Sequence, residues 1–323
     1  MSSTDLVTIA IPCYERKEYF LFALESAMNQ TVKCEIIVVD NCSLHDYFQK
    51  VCEEKGITYF RNETNIGLFP NLNRCYLLSS TEYVKILDDD DILSPIYIES
   101  FLKAKQLHPE IDVFFSNYVS LTSKGDLSHR STLPFGYMER GFKIIEYGIK
   151  YRLGFPYMTS TIKRTKAKLN LDVSECFGGY DWEWVYSNAD HLSFYGDPGK
   201  LHKYRIHDKK ASPKYRLYNL LTVPYIYDTV FPEKLSDTKL IKKISKKAFW
   251  ELVQLKSYIN KKGLVKIINS ENRYGKYLKV KLEEDFFLKR IFILPRKLVL
   301  LAIFPLRVVG KARRRVQNLY KLT

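Results

Sequence analysis

Residues 6–29 read LVTIAIPCYERKEYFLFALESAMN, and two periodicities meet inside them. Leu6–Ile11 is a β-branched, almost wholly apolar run that halts at Pro12. Phe20, Leu21, Leu24 and Met28 then recur at helical spacing, so Lys17–Asn29 is expected to be a helix with one apolar side. A strand apolar on both faces, followed at once by a helix, is the opening unit of a covered, mostly parallel sheet. The alternation continues with EIIVV (35–39) as a second strand closed by Asp40, residues 45–55 as a helix and Ile57–Phe60 as a third strand. After the loop RNETNIG (61–67) come a helix over Asn71–Leu78 and a strand over Tyr83–Leu87. A helix over Pro95–His108 and a strand over Val113–Tyr118 come next. Beyond them the pattern loosens. Residues 123–155 read as loop-rich, MTSTIK (158–163) as a strand, Asp181–Ser187 as the start of a helix entered through Gly178-Gly179, and Leu201–Ile206 as a strand running into His207.

In a sheet of this kind, ligands sit beyond the carboxyl ends of the strands. Three polar clusters fall there: Pro12-Cys13-Tyr14, Asp40-Asn41 and Asp88-Asp89-Asp90-Asp91. Four consecutive aspartates oppose one another by roughly 1 kcal/mol per close pair even in water. A solvated acidic turn is the plain explanation, and a cation site the chemical one. No GxGxxG follows the first strand, and neither GxxxxGK[ST] nor HExxH occurs, so dinucleotide, P-loop and zincin readings lack their motifs.

With 323 residues and 46% hydrophobic content, the chain can bury one large α/β domain and a smaller appendage. The six cysteines are scattered without a CxxC pair, and the N-terminus shows no basic and apolar leader; reduced thiols in the cytoplasm are the expectation. The net charge of +15 is unevenly spread. Residues 1–215 carry 26 Lys and Arg against 28 Asp and Glu, whereas residues 216–323 carry 25 against 8. This shift sets the expected division: a near-neutral body over 1–215 and a basic, helical region over 216–323.

Together, VTIAIPCYERKEYFLFALESAMNQ, EIIVVDN, NETNIG, YVKILDDDDIL, GGYDWEW and YRIHDKKAS resemble the family 2 inverting glycosyltransferases of the GT-A fold, over about residues 5–212. The resemblance implies a Rossmann-like α/β domain that takes a nucleotide-sugar donor, a UDP-sugar before others. The DxD element of that family falls on Asp88-Asp89-Asp90, with Asp90 on Mn²⁺ or Mg²⁺ and Asp88 toward the ribose or the metal's water; Asp89–Asp91 is the other possible register. Pro12, Tyr14 and Asp40 would border the base, Asp40 accepting from the uracil imide. Glu15 stands where relatives often have Asn. Asn65 and Asn73 match downstream nucleotide positions, while Leu72 replaces a common Arg. Asp181 matches the general base, with Tyr180 in place of the preceding acid and Glu183 as a lesser candidate. His207 would ligate the metal or bind the diphosphate, with Arg205 adding positive charge.

From Phe286 to Thr323 the sequence holds ten Lys and Arg and no acidic residue. Its longest uncharged run, Leu298–Leu306, is too short to span a bilayer. Aliphatic clusters interleaved with cations fit a segment lying in the interface of an anionic membrane. The expected acceptor is then a lipid-linked or surface-glycan hydroxyl, with the protein held peripherally at the inner face of the cytoplasmic membrane. Packing of the tail on its own domain or in a homo-oligomer is the plainer alternative. Nucleic-acid binding by the tail lacks any recognised motif and is not expected. A nucleotide-sugar-binding protein without turnover and a nucleotidyltransferase are the remaining alternatives, the latter lacking a glycine-rich phosphate loop.

Overall fold

The computed structural model describes residues 6–122, 127–130, 135–141, 144, 157–166, 184–185, 188–207, 220–230 and 238–301. The chain divides into two compact units, Met1–Cys176 with Trp184–Lys210, and Phe177–Glu183 with Ala211–Thr323. The expected base Asp181, and Tyr180 and Glu183 beside it, lie outside the described residues, as do residues 302–323 of the basic tail.

The first unit is built on strands β1 (Val7–Cys13), β2 (Glu35–Asp40), β3 (Thr58–Arg61), β4 (Tyr83–Ile86), β5 (Ile92–Leu93), β6 (Val113–Leu121), β7 (Leu127–Arg130), β8 (Gly136–Met138), β9 (Thr161–Lys163) and β10 (Phe194–Arg205). They form one sheet in the order β3-β2-β1-β4-β9-β6-β10-β5, with β7 on β6 and β8 on β10. Along that path β9 and β5 run against the others, so the sheet is mostly parallel as expected. Helices α1 (Phe20–Met28), α2 (Tyr47–Lys55), α3 (Leu68–Leu78) and α4 (Tyr97–Leu107) form the described crossovers and their extensions. Each helix buries one stripe, as periodicity requires: Phe20, Ala23, Leu24 and Ala27 on α1, and Tyr97, Ile98, Phe101 and Ala104 on α4. These meet Val7, Ile9 and Ile11 of β1 in one apolar core.

Register sets the site. Cys13 lies opposite Asp40, and Ala10 opposite Ile86. Ala10 O accepts from Leu87 N at 2.9 Å, after which the aspartate run turns away. Pro12, two residues on from Ala10, faces the side where β4 has already ended, so its missing N–H costs no ladder bond.

Two elements differ from expectation. MTSTIK is not one strand: Tyr157–Thr159 form a 3₁₀ turn, and only Thr161–Lys163 pair, antiparallel to β4 and β6. β10 starts at Phe194, well before Leu201, because Asp197-Pro198-Gly199 forms a bulge within the strand rather than a turn ending it. Gly199 N donates to Asp197 Oδ1 at 2.6 Å across that bulge.

The second unit contains α5 (Thr238–Tyr258), α6 (Lys261–Ile268), α7 (Arg273–Glu284) and α8 (Phe286–Ile293). Asn260, Asn272 and Asp285 cap the last three, each side chain accepting from the backbone N–H three residues on. Leu252, Leu255, Ile259, Leu278, Leu288 and Phe292 form its core. Among the described residues, no helix is long and apolar enough to cross a membrane.

Candidate functional site

The three polar clusters do converge at the carboxyl edge of β1, β2 and β4. At the β2 end, Asp40 is buried and its carboxylate heavily engaged. Oδ1 accepts from Ser43 N at 3.1 Å and Ser43 Oγ at 2.6 Å, Oδ2 accepts from Tyr59 Oη at 2.8 Å, and Arg61 Nη1 lies 3.7 Å away. Burial, and then the bond to Asp40, push the Tyr59 phenol upward. Asp40 therefore braces the loop after β2 in addition to any contact with a base.

Tyr14 stands 43% exposed beside it. Glu15 has a φ of 58°, in the left-handed region, and is locked there from both sides. Its N–H donates to Ser43 Oγ at 2.9 Å and its Oε1 accepts from Leu44 N at 2.7 Å. Where relatives often carry Asn, this chain thus uses Glu to clamp the β1 and β2 loops together.

A wall of amides closes the neighbouring side. Asn41 Nδ2 donates to Asn65 Oδ1 at 2.8 Å, and Asn41 Oδ1 accepts from Asn62 Nδ2 at 3.0 Å and Ile66 N at 3.0 Å. Asn62 Nδ2 also donates to Asn71 Oδ1 at 2.8 Å, and Asn71 Nδ2 to Val39 O at 3.1 Å. Gly67 comes next at φ 90° and ψ 168°, a conformation open essentially to glycine alone, and admits the chain into α3. Asn65 is in this wall; its α3 member is Asn71, which no sequence motif singles out, while Asn73 sits half-buried two residues on.

The aspartates divide into two kinds. Asp91 is fully buried: Oδ2 lies 2.7 Å from His202 Nε2, and Oδ1 accepts from Arg205 N at 2.9 Å. It pins the turn to β10. Asp89 is ion-paired with Arg16, whose Nη1 also lies 3.3 Å from Asp90 Oδ2 and from His207 Nε2. Asp90 Oδ2 is 2.7 Å from His207 Nε2. Arg205 Nε donates to Asp90 O at 2.8 Å, its guanidinium lies 4.5 Å from the Tyr19 ring centroid, and Tyr19 leans on His207 at 5.0 Å. The structure therefore brings Asp88, Asp89, Asp90, Arg205 and His207 together.

Burial raises the Asp89 carboxyl to about 7; Asp90 and Asp88 push the same way, and together they outweigh Arg16. Beneath the cluster, Lys85 of β4 is wholly buried, donates to Met158 O and lies 5.2 Å from the Tyr97 ring centroid. Desolvation lowers it to about 7, with Asp88 and Asp91 opposing.

One ligand atom from each of Asp88, Asp90 and Asp91 lies within 4.8 Å of the others. Carboxylate oxygens joined by one imidazole nitrogen fit a hard divalent cation. Asp91 already meets His202 and Arg205 N, which leaves Asp88 and Asp90 as the candidate pair.

Arg16 and His202 belong to the aspartate corner, and sequence reasoning misses both. Four adjacent carboxylates imply nearby cations, a usable signal for Arg16; nothing local marks His202, whose partner is 111 residues away.

The sequence model of Glycosyl transferase family 2 matches residues 8–169, and the chain belongs to that family. The putative colanic acid biosynthesis glycosyl transferase WcaA of Escherichia coli is 31% identical over 112 residues, 33% of this chain and 40% of that protein. Glycosyltransferase GlyA of Streptococcus pneumoniae is 29% identical over 141 residues, 42% of this chain and 20% of that one. The matches thus span less than half the length of these curated relatives. Among solved structures, Staphylococcus aureus TarS aligns with a TM-score of 0.54 at 18% identity, over 86% of this chain and 46% of that one. TarS 1-349 in complex with UDP-GlcNAc aligns at 0.51 and 17%, over 90% of this chain and 74% of that one. At these identities the likeness shows the fold, and that fold is the expected GT-A type.

Proposed function

We propose that this chain transfers a sugar from a nucleoside diphosphate donor, a UDP-sugar before others, to a hydroxyl of a lipid-linked or oligosaccharide acceptor, with inversion. The observation that carries this reading is the corner where Asp88, Asp90, His207, Arg16 and Arg205 meet at the carboxyl edge of the sheet, next to Tyr14 and Asp40. Uridine donors are favoured by the UDP-GlcNAc bound to a protein of the same fold.

Tyr14 would stack on the base and Asp40 would share one oxygen with its imide. The amide wall would hold the ribose end. A divalent cation, Mn²⁺ or Mg²⁺, held by Asp90 and His207 with Asp88 beside it, would offset the charge that develops on the departing diphosphate. Arg205 and Arg16 would add fixed positive charge at the same end. Asp181 would take the acceptor hydroxyl proton as that oxygen forms its bond to the anomeric carbon. The bond from that carbon to the diphosphate oxygen breaks with its electrons, leaving the nucleoside diphosphate. Peripheral attachment at the inner face of the cytoplasmic membrane would place the enzyme beside lipid-borne acceptors.

The test is donor turnover with Mn²⁺ over a panel of UDP-, GDP- and dTDP-sugars, reading the nucleoside diphosphate released. One UDP-sugar is expected to be hydrolysed slowly, with the activity lost in Asp90→Ala and on chelation. If no donor turns over and calorimetry finds no metal-dependent UDP binding, the proposal fails.

A further inference from the structure

A helix that packs one stripe on a core is expected to show polar residues outward. α8 departs from this. Leu288 and Phe292 face the core, yet Phe286 and Phe287 are 59% and 73% exposed and Ile293 is 75% exposed. The surface continues past the helix through Leu294, Leu298 and Leu301, all exposed, while Val299 turns inward. Lys289, Arg290 and Lys297 stand exposed among them. The sequence of this tail does not separate these two sets; the fold does.

The face is rigidly built. Asp285 ends α7 and caps α8, accepting from Leu288 N at 2.9 Å. Arg296 Nε donates to Ser257 O at 2.8 Å, fastening the segment after α8 to the end of α5. The Phe286 and Phe287 rings lie 5.8 Å apart, and the Arg290 guanidinium lies 4.5 Å from the Phe286 centroid. Paired exposed aromatics with cations interleaved match the layering of an anionic bilayer interface, where rings enter the acyl boundary and guanidinium groups meet phosphates. Duplex nucleic acid would use the cations and leave the phenylalanines in water. Glu283 and Glu284, exposed just before the cap, limit the cationic patch to α8 and the segment beyond it.

We propose that α8 and the segment to Leu301 form a membrane-docking face, with Phe286 and Phe287 as the inserting pair and anionic phospholipid as the partner. The proposal rests on this face alone, so its failure would leave the transfer chemistry untouched.

The experiment is vesicle co-sedimentation of the full chain, with phosphatidylcholine alone or mixed with phosphatidylglycerol. The parent is expected to bind the mixed vesicles, more weakly as salt rises. Phe286→Ser with Phe287→Ser keeps every charge, and about tenfold or more of the affinity is expected to go with the lost apolar insertion. Both side chains are exposed, so an unchanged melting curve confirms that the double variant is folded. In a Phe287→Trp variant, the difference emission against the parent is expected to shift to the blue and be quenched by brominated lipid. Equal binding by parent and double variant would overturn the proposal, leaving charge alone as the attachment. So would concentration-dependent self-association that the double variant abolishes while vesicles remain unbound, since the face would then join two copies. Preference for duplex DNA over the mixed vesicles at equal ionic strength would overturn it as well.

Discussion

Asp91→Ala separates the two ways of reading four aspartates. The carboxylate is fully buried, and its two oxygens meet His202 Nε2 at 2.7 Å and Arg205 N at 2.9 Å. Truncation strips an acceptor from each of two desolvated donors, at about 1–3 kcal/mol apiece. Relief of repulsion from the neighbouring carboxylates returns roughly 1 kcal/mol. The net loss is about 3 kcal/mol, which in a unit of this size lowers the melting temperature by roughly 6–12 °C. Asp90→Ala serves as the contrast. Its carboxylate meets His207 at 2.7 Å and Arg16 at 3.3 Å and is opposed by the neighbouring aspartates, so relief of that repulsion offsets part of the lost pairing, and its loss is expected to cost less than that of Asp91 while removing Mn²⁺ binding. Thermal melting by circular dichroism and calorimetric titration with Mn²⁺ read the two effects independently. If Asp91→Ala melts within about 1 °C of the parent and no longer binds Mn²⁺, Asp91 is the ligand and the 88–90 register is wrong.

Three further outcomes are expected. Gly67→Ala has room for its methyl, with Pro70 Cδ 3.8 Å away, so its cost of about 1–3 kcal/mol comes from the backbone and should appear in urea denaturation. Lys85 is held at about 7 by burial, so between that value and its unfolded value the unfolded chain binds the extra proton, and this contribution to stability grows with pH. Relative to Lys85→Met, the parent should gain up to about 1.4 kcal/mol per pH unit between roughly pH 7 and 10; a difference flat with pH would show that Lys85 is not desolvated. Tyr59→Phe removes the 2.8 Å donation to Asp40 and should cost about 1 kcal/mol, with UDP affinity unchanged or tighter by calorimetry because one carboxylate oxygen is relieved.

The left half of the sheet was legible because β1, β2 and β4 are largely buried and read as mostly apolar runs, interrupted at Thr8 and Lys85, each ending where its polar cluster begins. The right half was not. β10 carries a proline and two glycines through a bulge, so local turn chemistry hid a strand whose pairing with β6 is settled by the fold. The short β5 and β8 exist only as antiparallel partners of β10 and carry little pattern of their own. In the site, chemistry declared by residue type was visible, as with the aspartates, Asp40 and His207. Roles created by pairing were hidden: Arg16 reaches an aspartate 73 residues away, and Asn71 rather than Asn73 completes the amide wall.

That wall has a consequence for how the crevice responds to its surroundings. Asn41, Asn62, Asn65 and Asn71 hold one another through neutral amides, which have no proton to lose and little to gain from dissolved ions. The opposite corner is crowded with carboxylates, and Asp89 there changes charge near neutrality. One end of the crevice is thus deaf to pH and the other attentive to it. Mild acidification should remove negative charge from that corner and so weaken its attraction for a divalent cation while the grip on the nucleoside stays as it was, so that affinity for a bare nucleoside and metal-dependent affinity for its diphosphate part company as the pH falls.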